Sequence, residues 1–190
     1  MSSSGLIRWA AVGALLAAIA WLVSGLISLV LPGQGTEEVG TFSYYLLEIL
    51  FSIASLGMLA GIVGFHAREA PDYGRLGTAG FFTALVGVFF LLASTVATIL
   101  AGREILDWLF ILGFVGSLVG FVLLGGATLR AGVLPRWCGI LLIVAVFGIP
   151  VYFALGNYGG AIFYGLVWLG LGYGLWLERG ASAEQTTRVS

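Results

Sequence analysis

Residues 77–101 read GTAGFFTALVGVFFLLASTVATILA, an apolar run of 25 residues without one charged side chain. An α-helix rises about 1.5 Å per residue, so this run is longer than the roughly 30 Å hydrocarbon core of a bilayer. Five other runs have comparable length and almost no charge. The six predicted helices cover residues 9–31, 44–66, 77–101, 108–129, 138–155 and 161–177. The sequence therefore predicts an all-α integral membrane protein, a six-helix transmembrane bundle.

The composition leaves too few charges for a water-facing surface. Hydrophobic residues make up 60% of the chain, charged residues 9%, and the mean hydropathy is +1.09. Soluble domains are typically about 25% charged. The runs are continuously apolar rather than alternating, which favours helices over a β-barrel. We expect residues 1–177 to form a single transmembrane domain, and residues 178–190 to form a polar, disordered cytoplasmic tail.

Arginines set the expected orientation, because positively charged residues favour cytoplasmic loops. The chain has no lysine, and seven of its eight basic residues fall on one side of a six-span topology. These are Arg8, Arg68, Arg75, Arg130, Arg136, Arg179 and Arg188. The opposite side carries Arg103 and the acidic residues Glu37, Glu38, Glu104 and Asp107. The sequence predicts a protein of the bacterial cytoplasmic membrane with both termini in the cytoplasm.

Glu48 is the acidic residue that lies within a predicted span, about one turn from the outer surface. A charge at the bilayer centre costs roughly 2.5–3.5 kcal/mol on insertion scales, so such a residue is a functional candidate. Ser52 and Ser55 follow at helical spacing on the same face, and the antiparallel third helix offers Ser94 and Thr98. These five residues form a candidate polar pocket for a cation, a proton or a small polar solute. The alternative is a glutamate that reaches the headgroups, with serines that only pack between helices.

His66 follows Glu48 by eighteen residues, which is five helical turns, so it lies on the same face at the inner end. It is a candidate for a proton or polar contact there. A proton path from Glu48 would have to cover about 27 Å past apolar residues such as Leu59 and Ile62. The alternative is a histidine that is merely interfacial.

The motifs of several enzyme classes are missing from the sequence. The chain has one histidine and one cysteine, so neither a two-histidine haem site nor an HExxH zinc motif can form within it. A Gly-rich phosphate loop of the Walker type is also missing. We therefore predict no catalytic residues, no metal site and no cofactor.

The stretch Leu129-Arg130-Ala131-Gly132-Val133-Leu134-Pro135-Arg136-Trp137 opens the fifth predicted helix. It resembles a phrase that recurs in small multi-pass bacterial membrane proteins of about six spans, a group without a characterised activity. The resemblance covers about ten residues strongly and the layout of the spans loosely. It implies the six-span fold and no activity.

The missing catalytic and metal motifs favour the first of three functions, and the other two are alternatives. The first is a non-enzymatic accessory or partner-binding membrane subunit, the second a small transporter or channel-like protein that uses the pocket around Glu48, and the third a lipid- or quinone-acting enzyme. Gly-x-x-x-Gly patterns begin at Gly57, Gly116 and Gly170 and allow close helix approach, either within the bundle or in a homodimer. Beyond the lipid bilayer, the expected partners are a second copy or another membrane protein, with no nucleic acid and a solute or ion of unknown identity.

Overall fold

The computed structural model of the chain describes residues 3–31, 40–104 and 106–189, with side chains between residues 5 and 177 of these ranges. The described residues form helices and connecting turns, without strands. The helices are α1 (Ser3–Val30), α2 (Phe42–Glu69), α3 (Gly74–Ala101), α4 (Asp107–Ala131), α5 (Arg136–Val144) and α6 (Gly148–Val189), with a 3₁₀ turn at Ala145–Phe147. The predicted all-α architecture is therefore confirmed.

The number of continuous helical segments differs from the prediction. Among the described residues, five helical segments are long and apolar enough to cross a membrane, where the sequence predicted six. They are Gly5–Val30, Phe42–Glu69, Gly74–Ala101, Asp107–Ala131 and Arg136–Leu177. The last segment joins the fifth and sixth predicted runs, because the expected loop over residues 156–160 is helical except at Gly156.

Gly156 divides this long segment into two arms. Its φ of 72° and ψ of −168° belong to a backbone region that only glycine adopts readily. We call residues 136–155 the first arm and residues 157–177 the second arm. The arms contact each other through Cys138 and Gly174, Leu141 and Gly170, and Gly148 and Tyr164. The paired numbers rise on one arm as they fall on the other, so the arms lie antiparallel.

The backbone conformation of the polar tail also differs from the predicted one. The sequence predicts disorder over residues 178–190, whereas helix α6 continues to Val189. Alanine, glutamate and glutamine are favourable helix residues, and residues 181–185 contain four of them. The apolar helix of the second arm therefore extends directly into the tail, with no helix-breaking proline between them.

Close helix contacts depend on small residues and arrange the bundle as two groups of three. In the first group, α1 contacts α2 and the second arm, for example where Gly57 meets Gly13 and Gly165 meets Leu22. In the second group, α4 contacts α3 and the first arm. A Cβ added at Gly87 would lie 2.3 Å from the Ser117 nitrogen, so the backbones of α3 and α4 nearly touch there. The predicted Gly-x-x-x-Gly stripes are thus used inside the bundle.

The two ends of the bundle are named after the predicted orientation. The outer end contains the turn after α3 and Gly156, and the inner end contains residues 70–73 and 132–135. Towards the inner end the two groups meet in a buried layer. This apolar layer consists of Ile62, Phe65, Leu124, Trp168 and Leu171, each at most 1% exposed. Towards the outer end the groups separate, and a cavity lies between them.

Candidate functional site

The cavity has a volume of about 770 Å³ and is lined by residues of α1, α2, α3, α4 and both arms. Glu104 and Asp107, which are exposed at the outer end, form part of its wall, so the cavity reaches the surface there. Phe121 lines its deep part and lies fourteen residues along α4 from Asp107, which corresponds to about 21 Å. The cavity therefore extends over most of the thickness of a bilayer core.

The apolar layer closes the deep end of the cavity. The deepest lining residues of α2, α4 and the second arm are Met58, Phe121 and Tyr164. The residues of the apolar layer follow them on the same helices by three to seven positions. Phe121 also contacts Trp168, with ring centroids 5.9 Å apart at an angle of 69°. As far as the described residues show, the cavity is thus connected to the outer end and separated from the inner end.

Glu48 lies in the wall of this cavity, half-buried, on the second turn of α2. The hydroxyl groups of Tyr44 and Thr95 interact with its carboxylate. The Tyr44 hydroxyl also donates a hydrogen bond of 3.2 Å to Oε1 of Glu104. The Tyr44 phenol is therefore near both carboxylates and hydrogen-bonds the one at the mouth of the cavity.

The structure brings together three of the five residues predicted for the pocket. Glu48, Ser94 and Thr98 line the cavity, and Ser94 also donates a hydrogen bond of 3.1 Å to the carbonyl oxygen of Leu106. Ser52 and Ser55 do not line it. The Ser52 hydroxyl donates to the Glu48 carbonyl oxygen one turn back (2.9 Å), as helical serines often do, and Ser55 is buried in helix packing.

Sequence reasoning missed much of the polar wall. The additional polar lining residues are Ser24, Ser28, Tyr44, Thr95, Ser117, Asn157 and Tyr164, together with the acidic residues at the mouth. Ser24 and Ser28 are four residues apart and therefore share a face of α1, a spacing that is readable from the sequence. What the sequence did not reveal is that this face of α1 turns towards Glu48.

The charge of the cavity wall has one sign. Glu48, Glu104 and Asp107 contribute carboxylates, whereas no arginine or histidine of the described residues lines the cavity. At the half-buried Glu48, the lower dielectric makes the negative potential of a carboxylate stronger than in water, and the exposed carboxylates at the mouth add to it. The cavity therefore favours a positively charged or hydrogen-bonding guest over an anion.

Aromatic rings form a continuous chain across the cavity wall. Trp21 stacks on Tyr164, with centroids 5.4 Å apart, and meets Phe51 edge-on at 5.2 Å. Phe51 contacts Phe110 at 5.9 Å, and Phe110 contacts Phe114 at 6.2 Å. All five rings line the cavity and come from four helical segments. The Tyr164 hydroxyl and Trp21 Nε1 are buried and make no hydrogen bond to any described residue.

His66 lies at the inner end in a separate polar cluster. Its Nδ1 shares a hydrogen bond with the Tyr73 hydroxyl, and its ring stacks on Phe81 with centroids 3.9 Å apart. Burial raises the pKa of Tyr73 to about 12, so the phenol is protonated at neutral pH. A polar contact at the inner end was predicted for His66, and the structure places it there. The apolar layer, with Ile62 and Phe65 on the same helix, lies between this cluster and Glu48.

Glu69 is another residue that the sequence did not single out. It is the last residue of α2 and completely buried, and its Oε2 accepts a hydrogen bond of 2.6 Å from the Thr128 hydroxyl of α4. The Arg68 guanidinium and the backbone of Leu134 also interact favourably with this carboxylate. Glu69 therefore joins the inner ends of α2, α4 and the turn before α5.

In the described part of the chain, no group of three or more His, Cys, Asp or Glu side chains is placed to hold a metal ion. A comparison with protein-family models, with curated proteins and with solved structures finds no match to this chain. The interpretation of the cavity therefore depends on its own geometry and chemistry.

Proposed function

We propose that this protein is a small membrane transporter whose solute binds in the cavity around Glu48, in a conformation that is open at the outer end. The observation that carries the proposal is a deep cavity that has a half-buried carboxylate in its wall and an apolar layer below it. Transporters bind their solutes near the middle of the membrane, between two groups of helices that alternately close either end. The two groups of three helices and the buried apolar layer correspond to such an arrangement.

The proposal includes a chain that crosses the bacterial cytoplasmic membrane six times, with both termini in the cytoplasm. The 42-residue segment Arg136–Leu177 would be about 63 Å long as a straight helix, twice the thickness of a bilayer core. The antiparallel arms on either side of Gly156 support two crossings by this segment. The excess of arginines on one side supports the orientation.

The cavity also distinguishes between the functions that the sequence left open. An accessory or partner-binding subunit would be expected to have tightly packed side chains around Glu48, and the cavity counts against this. A lipid- or quinone-acting enzyme that used the single histidine of the chain would require it near the carboxylates of the cavity. In the described residues, His66 and Glu48 are separated by the apolar layer. Solute binding is the function that this geometry favours.

The proposal is tested by the accessibility of the cavity to water from the outer side. Ser94→Cys and Thr98→Cys are introduced separately into a Cys138→Ala background and treated with a membrane-impermeant maleimide in intact cells. We expect both cysteines to react, because both positions line the cavity.

Ser55→Cys is the matched control, since Ser55 is a buried serine on the same helix as Glu48 but lies outside the cavity. It should remain unreactive in the folded protein and react after denaturation. Equal protection of all three cysteines from the outer side would overturn the proposal.

A further inference from the structure

We infer that the solute is an organic monocation with aromatic or other bulky apolar groups, bound with its charge near Glu48 and its apolar part against the aromatic chain. This inference rests on the proposed function and adds to it the chemical class of the solute. It combines the charge of the wall, the size of the cavity and the nature of its deep surface.

The charge of the wall selects a cation. The acidic residues occur at two depths, with Glu104 and Asp107 at the mouth and Glu48 further inside. Arg103, next to Glu104 in the chain, is exposed and does not line the cavity. A cation that enters would meet carboxylates along its path, whereas an anion would be repelled at both depths. Below Glu48, the described part of the wall has hydroxyl groups but no further carboxylate, which matches a single positive charge.

The size and surface of the cavity favour an organic cation over a metal ion. A calcium ion takes six to eight oxygen ligands, and the wall at the depth of Glu48 is interrupted by apolar and aromatic side chains such as Leu47 and Phe51. A volume of about 770 Å³ falls in the range of roughly 300–1,000 Å³ that is typical of sites for drug-sized molecules. A bare ion would leave most of this space unfilled.

The aromatic chain provides the surface for the apolar part. Tryptophan, tyrosine and phenylalanine rings attract organic cations through their π faces, with tryptophan the strongest. Trp21 belongs to this chain and lies between Tyr164 and Phe51. The buried Tyr164 hydroxyl, 9% exposed as a residue and without a hydrogen-bond partner among the described residues, offers a polar group to a guest. The Tyr164 hydroxyl can donate or accept a hydrogen bond, and Trp21 Nε1 can donate one, so both are available to a guest in the cavity.

The experiment uses two probes of nearly the same shape and opposite charge, tetraphenylphosphonium and tetraphenylborate. Binding to the purified full-length protein in detergent is followed by equilibrium dialysis. We expect saturable binding of tetraphenylphosphonium, and no saturable binding of tetraphenylborate. Glu48→Gln should weaken tetraphenylphosphonium binding at least about tenfold, because it removes the charge partner inside the cavity.

Asp72→Asn is the control for the lost charge, and Phe89→Leu is the control for a second test variant, Phe51→Leu. Asp72→Asn removes one negative charge at the exposed inner turn and should leave binding unchanged. Phe51→Leu should weaken binding about threefold or more, because it replaces a ring with an aliphatic group of similar size. Phe89→Leu makes the same replacement on an exposed face of α3 and should have no effect.

The outcomes separate the inference from the proposed function. Equal binding of both probes, or tetraphenylphosphonium binding that is unaffected by Glu48→Gln, would overturn the organic-cation class. Complete displacement of tetraphenylphosphonium by millimolar sodium or calcium would overturn it as well, in favour of an inorganic ion. If Ser94→Cys reacts from the outer side but neither probe binds, the cavity exists and the solute class is wrong. If Ser94→Cys is protected, the proposed function itself fails.

Discussion

Glu48 and Glu69 lie on the same helix in opposite surroundings. Glu48 is half-buried and faces a cavity, with hydroxyl groups as its neighbours. Glu69 is completely buried, and the Thr128 hydroxyl donates to it from another helix. A buried carboxylate is expensive unless donors surround it, so its partners are expected to stabilise the fold. These contacts support the proposed ligand-binding role of Glu48 and predict a structural role for Glu69.

Removing the donor to Glu69 should destabilise the protein. Thr128→Val keeps the shape of the side chain but leaves the buried carboxylate without this hydrogen bond, which typically costs about 1–3 kcal/mol. We expect a lower thermal unfolding temperature for the protein purified in detergent, followed by circular dichroism. Thr128→Ser retains the hydroxyl and should lose less stability.

Thr78→Val is the matched control for this prediction. The Thr78 hydroxyl donates to the Gly74 carbonyl oxygen of its own helix and is exposed, so its loss should change stability little. An unfolding temperature of Thr128→Val equal to that of Thr78→Val would contradict the structural role of Glu69.

At the scale of the helices, glycines determine how closely α3 and α4 approach. A Cβ at Gly120 would lie 2.2 Å from the backbone nitrogen of Ala84. Because this clash is with backbone, no side-chain rotation can remove it. Gly126 lies on the same helix less than two turns away, and a Cβ there would have no heavy atom within 4 Å. Close packing of α3 and α4 therefore requires a glycine at position 120 but not at position 126.

The pair Gly120→Ala and Gly126→Ala tests this difference directly. Gly120→Ala should force α3 and α4 apart and lower the unfolding temperature of the detergent-solubilised protein by several degrees, a loss of about 1–3 kcal/mol. Gly126→Ala should be neutral, or stabilising by up to about 1 kcal/mol because alanine is the better helix residue. The prediction is wrong if the two variants unfold at the same temperature.

The sequence predicted those helical features that depend on local pattern. Apolar length predicted the helices, and helical spacing together with hairpin packing predicted that Glu48 could meet Ser94 or Thr98. In the structure all three line one cavity, and the α3 hydroxyl that interacts with Glu48 is that of Thr95. The loop over residues 156–160 was predicted wrongly because its glycines look like turn residues. In the structure a Cβ at Gly159 would lie 2.3 Å from the Leu155 Cβ, so this glycine serves close packing next to the Gly156 turn.

Other features depend on contacts between distant segments and have no local signature. Glu69 precedes Ala70-Pro71, which reads as an exposed turn, and its burial arises from Thr128, fifty-nine residues later in the chain. The aromatic chain likewise joins Trp21, Phe51 and Tyr164 from three helices. Each of these residues is an ordinary apolar position of a membrane helix when it is considered alone.

At the scale of the whole molecule, small residues hold each group of three helices together while the groups meet mainly at the inner end. The inner contact combines the apolar layer with the polar clusters around His66 and Glu69. The outer end contains the cavity and the exposed acidic residues at its mouth. This asymmetry gives the molecule one accessible end and one closed end, as expected for one state of a transporter.

The number of crossings determines where the two termini lie, and it depends on Gly156. If the arms on either side of Gly156 each cross the membrane, the chain crosses six times and both termini lie in the cytoplasm. If Arg136–Leu177 crosses only once, the chain crosses five times and the termini lie on opposite sides. A fluorescent protein that matures only in the cytoplasm, fused to either terminus, should therefore fluoresce in both fusions.

Asn157→Cys in the Cys138→Ala background should react with an impermeant maleimide from the outer side, because Asn157 follows Gly156 and lines the cavity. A dark C-terminal fusion with a protected Asn157→Cys would show that the hairpin does not span the membrane, and the bundle would then have to be described with five crossings.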